Sequence, residues 1–363
     1  MSHHFDYPQN ETLDISDAYV FDGASNGSGP RTVFGMNTSP TYGKPWDPAG
    51  YYELRIDTNG DYVEDITYRA TFPIGSDGTQ HVQVVELRGA EATSRHARGT
   101  LITPPHAPVG AIVECRRGIK LFAGQRLDPF VNFLPNPIAS AKALATGTFP
   151  DFNALRPDSD SFANTAVRAY VLELPVEVTG RRLAHYWGNT AYFDNGHKTW
   201  VQVQRAAKPN MSTFFDFANG SAHLNYAATF PKNDREGRPA HPATDDASGI
   251  WGQVRDDIAA VVQAGGTFGD PPRRFPTARA YGAWAADQML PDVISFTPGH
   301  VANWDPWTGN QNGKGVHEDI ASNVIEMIIN QEFSSGLKPE PLLDHFPYLS
   351  PPPAVISPPP GTP

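Results

Sequence analysis

Residues 51–56, "YYELRI", and residues 66–72, "ITYRATF", alternate apolar and polar side chains with period two. A helix repeats every 3.6 residues and cannot sort such a pattern onto one face; a strand with one buried side can. Between the runs lies "DTNGDYVED", whose Asn59-Gly60 pair is a strong turn signal. Two strands and a tight turn predict an antiparallel hairpin.

The same pattern recurs along the first half. Residues 18–23, 31–38, 81–89 and 110–118 are short runs rich in β-branched and aromatic side chains, bounded by Gly, Pro, Asp or Asn. Residues 165–178 and 198–206 continue it. The expected fold is mainly β, an antiparallel sandwich or barrel-like sheet in a single domain. Helical periodicity comes late. Ile250, Val254, Ile258, Val261 and Val262 share one stripe that ends at a Gly pair. Residues 277–290 read as helix up to Pro291, and Ile320, Val324, Ile325 and Ile328 mark a third helix. The domain is expected over residues 1–338, with a Trp-rich helical insertion at about 237–311. Residues 339–363 read as an extended Pro-rich tail.

Composition narrows the function classes. The 363 residues carry 28 Lys and Arg against 39 Asp and Glu, a net charge of −11. With no basic run, a nucleic-acid partner is not expected. An acidic protein suits a cation or a small-molecule ligand better. Cys115 is the single cysteine, which excludes an internal disulfide and a cysteine-ligated zinc site. No apolar run is long enough to span a bilayer, and "MSHHFDYPQN" lacks the apolar stretch of a signal peptide. The chain as written is therefore expected in the cytoplasm, or as a mature form without its leader. The sequence specifies no oligomeric state.

Several stretches taken in order resemble the bacterial domain-of-unknown-function family 4331. They are "SHH" with "DISDAYVF", then "GYYELRIDTNGDYVEDITYRATF", "LFAGQRLDPFVNF", "FANTAVRAYVLELP", "WVQVQRAAKPNMSTFF" and "NGKGVHEDIASNVIEMII". The resemblance runs from Ser2 to about Ile329. It implies a β-rich fold and export in relatives, and no defined activity. Relatives usually follow Ser-His with a basic and then an acidic residue, where this chain has His4, Phe5 and Asp6.

Three clusters could carry chemistry. Asp57, Asn59, Asp61 and Asp65 occupy positions one, three, five and nine of the acidic turn, with the Val63 carbonyl at seven. Calcium takes six to eight oxygens at about 2.3–2.6 Å, and this spacing converges oxygens when the backbone curls. Position twelve is Tyr68 rather than a bidentate Glu, so the expectation is a structural Ca2+ staple between strands. The alternative is a solvated hairpin tip. At the N-terminus, His3 with Asp14 or Asp17 is a candidate metal or acid–base pair. In residues 299–319, His317 and Asp319 are a second such pair, and Trp304 and Trp307 are candidate ligand-stacking rings beside His300, Asp305, Lys314 and Glu318; the alternative is a packed irregular loop with the Trp rings in the core and Glu318 and Asp319 as ordinary first-turn acids.

Weaker groupings are His185 with His197 and Asp194, and His241 with Asp245 and Asp246. No nucleophile elbow, phosphate loop, dinucleotide fingerprint or His-Glu-x-x-His motif occurs. The expectation is a calcium-stabilised small-molecule enzyme whose pocket joins the two ends of the chain. In it His3 or His317 acts as acid–base or metal ligand, oriented by Asp17 or Asp319. The rival is a calcium-stabilised, non-catalytic ligand-binding or envelope-associated protein.

Overall fold

The computed structural model describes residues 11–23, 29–38, 44–152, 159–216, 228–316, 318–352 and 354–356. His3 and His317 lie outside them.

Two antiparallel sheets face each other across one apolar core. The first has strand order β1-β2-β10-β9-β8. Its strands are β1 (Ile15–Gly23), β2 (Arg31–Thr38), β10 (Ala166–Pro175), β9 (Lys120–Leu127) and β8 (Ile112–Glu114). The second runs β12-β11-β3-β4-β5-β6, with β13 on β11 and β7 on β5. It comprises β12 (Thr199–Ala206), β11 (Ala184–Asp194), β3 (Gly50–Asp57), β4 (Ile66–Thr71), β5 (His81–Arg88), β6 (Thr100–Leu101), β13 (Ile294–Phe296) and β7 (Ala107–Pro108). Neither sheet closes into a barrel. The expected hairpin is β3–β4, in register from Tyr52 opposite Ala70 to Ile56 opposite Ile66.

Alternation builds the core. Val20, Phe34, Leu121 and Leu172 from the first sheet meet Leu54, Ile56, Tyr68 and Tyr186 from the second. The Tyr186 hydroxyl donates across the gap to the Gly35 carbonyl at 2.7 Å. Gly35 is required for another reason: a Cβ there would lie 1.8 Å from the Tyr19 ring, which covers it from the neighbouring strand.

The polar positions of the second sheet are not solvated. Glu53, Arg55, Glu64 and Arg69 are all buried on its outer face. Arg55 pairs with Glu53 and, at 2.7 Å, with Glu64; Arg69 pairs with Glu53 at 2.7 Å. Arg69 also donates to the carbonyls of Ser94 and Ala97, so the 89–98 loop lids the network. Buried charges require such pairing.

A second core forms among helices. These are α1 (Pro135–Thr146), α4 (Gly249–Gly265), α5 (Ala278–Met289) and α6 (Ile320–Ile329), joined by the short α3 (Met211–Asp216); the one-turn α2 (Val176–Thr179) follows β10. The last three full-length helices lie where periodicity placed them. Helix α1 escaped it because two prolines and small residues blur the stripe, although Pro suits a helix start. The ribbon β14 (Asn303–Asp305) and β15 (Asn310–Asn312) sits against this core. Part of the segment read as a tail is packed: Phe346, Tyr348 and Leu349 bury against Tyr19, Val33 and Phe122 on the outer face of the first sheet.

Candidate functional site

The acidic turn curls on its own side chains. Asp57, fully buried, accepts from the N–H groups of Asn59, Gly60 and Tyr62 at 2.7–2.9 Å. Asn59 Oδ1 accepts from Asp61, and Asp61 Oδ1 from Val63, each skipping one residue. Asp65 accepts from the Thr58 N–H and hydroxyl and from the Asn59 amide. Gly60, at φ 86°, makes the bend possible. Glu64 is spent on Arg55, but Asp57, Asp61 and Asp65 have no ion-pair partner among the described residues. Those three are hard oxygen donors of the kind Ca2+ selects. Their oxygens face backbone N–H groups, and among the described residues no three His, Cys, Asp or Glu side chains are gathered as a metal group.

A different place brings the two ends of the chain together. β1 is the edge strand of the first sheet, and one bridge caps it: Val20 donates to the Lys314 carbonyl at 3.1 Å, and Lys314 donates back at 2.7 Å. This seats the Lys314 ammonium 2.7 Å from Asp17 Oδ1, a pair 297 residues apart in sequence and almost wholly buried. Next to the pair opens a shallow cleft, about 250 Å³ with the solvent at its mouth included, walled by Ser16, Asp17, Phe130, Lys208, Asn210 and Lys314.

Local structure explains the wall. The β1–β2 register slips between Ile15 and Asp17, so Ser16 is the extra residue of a β-bulge. Bulges re-aim side chains, and here consecutive residues reach one cleft. Ser16 is 0% exposed and its hydroxyl bonds to no atom of the described residues. Lys314 uses one of its three ammonium donors on Asp17.

Titration is perturbed around this cleft. Burial pushes the Asp128 carboxyl up to about 8, and the Asp17 and Asp160 charges add to it, against a hydrogen bond from the Phe130 N–H. Burial draws the Lys208 ammonium down to about 8, against the attraction of Asp292 and Asp234. Lys208 donates to the carbonyls of Gln288 and Pro291 at 2.8 and 3.0 Å. Desolvated acids and bases gathered beside a cleft are what proton-transfer chemistry uses.

The other sequence candidates fall elsewhere. Asp319 caps α6, accepting from the Ser322 N–H and from the hydroxyls of Ser322 and Ser335. Trp304 and Trp307 are buried in the helical core and line neither cleft described for this molecule. The Trp307 indole N–H donates to Asn330 at 3.0 Å. His185 and His197 do not meet. The register sets His185 opposite Asp57 and Ser295, while His197 sits in the turn, 83% exposed, paired with Asp194 at 2.6 Å. The strand is long enough to hold the two histidines about 30 Å apart. Burial lowers the His185 pKa, and Asp57 opposes that. Asp246 is on the surface, 3.3 Å from Arg279.

Ser16, Asp128 and Lys208 were not singled out from sequence. A usable signal existed for Asp128, an acid set inside the apolar run "LDPFVNF". None existed for Ser16, whose role depends on a bulge.

The chain matches no family model, no curated protein and no solved structure in the comparisons made.

Proposed function

We propose that this protein binds and processes a small polar molecule in the cleft at Ser16, Asp17 and Lys314. The carrying observation is the buried Asp17–Lys314 pair beside an unbonded Ser16 hydroxyl. A ligand with acceptor oxygens, such as a small hydroxy or keto acid, satisfies both the spare ammonium donors and the hydroxyl. Asp128 is not a wall residue of the cleft, but it feels the Asp17 charge and, with a folded value of about 8, can hold a proton in reserve for it. His3 and His317 enter this proposal on sequence alone, as does kinship with family 4331 and the export it implies.

The test is a thermal-shift screen with a panel of small hydroxy, keto and amino acids, repeated on Ser16→Ala and Asp17→Asn. A hit whose shift vanishes in both variants supports the site. No hit, or a hit indifferent to both, overturns it. Incubating a hit with the protein and analysing it by mass spectrometry separates enzyme from binder: turnover favours the former, unchanged ligand the rival.

We also propose Ca2+ as a staple of the 57–65 loop. Three carboxylates without cationic partners in nine residues support this. Asp57, Asn59, Asp61, Asp65 and the Val63 carbonyl would hold the ion, after the Asn59 and Asp61 side chains turn from the backbone toward it. Bound calcium would offset two of the loop's three unpaired negative charges and fix the hairpin tip.

A further inference from the structure

The Val20–Lys314 bridge has a second side. Beyond it opens another, shallow cleft, about 180 Å³ with the solvent at its mouth included, between the end of β1, the start of β2 and the 296–302 loop. Asp22 lies directly opposite Thr32 in the β1–β2 register. Both continue the face that Val20 and Phe34 present to the sandwich core. The apolar core therefore ends in a carboxylate and a hydroxyl side by side, with Cβ atoms about 5 Å apart by strand geometry.

The Thr32 hydroxyl and one Asp22 oxygen lack hydrogen-bond partners. Thr32 is 2% exposed, and its hydroxyl bonds to no atom of the described residues. The same holds for Asp22 Oδ1, which is enclosed although the rest of the side chain is half-buried. Buried polar atoms are nearly always bonded, so two adjacent orphans in a cleft wall point to something that enters.

The opposite wall is built rather than loose. Asn312 accepts from the Thr297 N–H at 2.8 Å and donates to the Val301 carbonyl at 2.8 Å, while the His300 N–H returns to the Thr297 carbonyl at 3.1 Å. This clamps the 297–301 turn, with Gly299 at φ 82°, and sets the exposed His300 imidazole at the rim, close enough for its charge to act on Asp22. Phe296 and Pro298 supply apolar surface.

We propose that this cleft is a binding site for a compact primary ammonium, with Asp22 and Thr32 as its acceptors and His300 at its mouth. An ammonium offers three donors and a positive charge, which suits a carboxylate oxygen and a hydroxyl that lack hydrogen-bond donors. The enclosed part of the cleft has room for about one water, so only the ammonium head enters and the short carbon stem lies at the open mouth beside Phe296. The site lies across the bridge from that of Asp17, and its fate is independent of it.

The probe is n-butylamine at neutral pH, with n-butanol, NaCl and MgCl2 at equal concentration as controls. Calorimetry and thermal shift are read on the full chain and on the isosteric variants Asp22→Asn and Thr32→Val. The expected result is a rise in melting temperature with the amine alone. Asp22→Asn should weaken binding at least tenfold and Thr32→Val about threefold. If Thr32 is only a buried orphan, Thr32→Val raises stability by itself and leaves the amine effect unchanged, which overturns its role. No binding by the amine, an equal effect from butanol or either salt, or undiminished binding by Asp22→Asn overturns the site.

Discussion

Glu53 anchors the covered face of the second sheet, and Glu53→Gln measures what that anchor contributes. Its carboxylate is fully buried and pairs with Arg55 and Arg69. Burial alone would raise its pKa, but the Arg55, Arg69 and Arg95 charges overcome that and hold it at about 2 rather than 4.5. At about 1.36 kcal/mol per tenfold, that preference for the charged form is worth roughly 3 kcal/mol. Structure gives a second route. Removing one partner of a buried pair typically costs about 3–5 kcal/mol, because the other charge stays buried. Arg55 keeps Glu64 and Arg69 keeps the loop carbonyls, so the low end applies.

Urea unfolding of both proteins across the acid range is the assay, with the slope checked for constancy. The folded pKa is depressed, so the contribution is fully present above about pH 4.5 and is lost as pH falls through about 2. Glu53→Gln should therefore be about 3 kcal/mol less stable near neutral pH, with the gap closing in acid. A gap below about 1 kcal/mol near neutral pH, or one that does not shrink in acid, would refute the reasoning.

Three further outcomes are expected. Asp128 carries the opposite sign: its folded value of about 8 lies above the usual 3.8, so its contribution is present in acid and is lost as pH rises through about 8. Asp128→Asn should flatten that decline, and pH-dependent melts of the two proteins will show it. Saturating Ca2+ should raise the melting temperature relative to chelator, and Asp57→Asn with Asp61→Asn should abolish the difference; equal melts with and without chelator reject the staple. Asn330 bonds Trp307 and the carbonyls of Thr267 and Arg273 from a left-handed backbone at φ 50°. Asn330→Ala should cost about 3 kcal/mol or more in denaturant unfolding, since it loses those bonds and strains the backbone.

Legibility tracked range. The β3–β4 hairpin and helices α4 to α6 could be read directly, because local periodicity and turn chemistry decide them. That the outer charges Glu53, Arg55 and Arg69 are buried is not legible in their strands, since one strand cannot show that a loop about 25–40 residues on will cover it. For Trp304 and Trp307 the sequence leaves ligand platform and core packing both open, since aromatic spacing is the same in a pocket and in a core; the structure puts both rings in the helical core. Asp17 was picked from sequence, but with a histidine as its expected partner; among the described residues the structure pairs it with a lysine.

By itself, then, the sequence determined the class of fold, the hairpin around residues 57–65 and the acidic character that argues for a cation there. Period-two burial and an Asn-Gly turn are properties of a few adjacent residues and need no distant partner. Only the tertiary structure decided which charges are buried, that Glu64 neutralises Arg55 rather than joining a metal loop, and that Asp17 meets Lys314 across 297 residues. Those outcomes follow from register, from a bulge at Ser16 and from a single bridge on an edge strand. Such features are set when strands dock, because hydrogen-bond pairing between segments far apart in the chain fixes which side chains share a face.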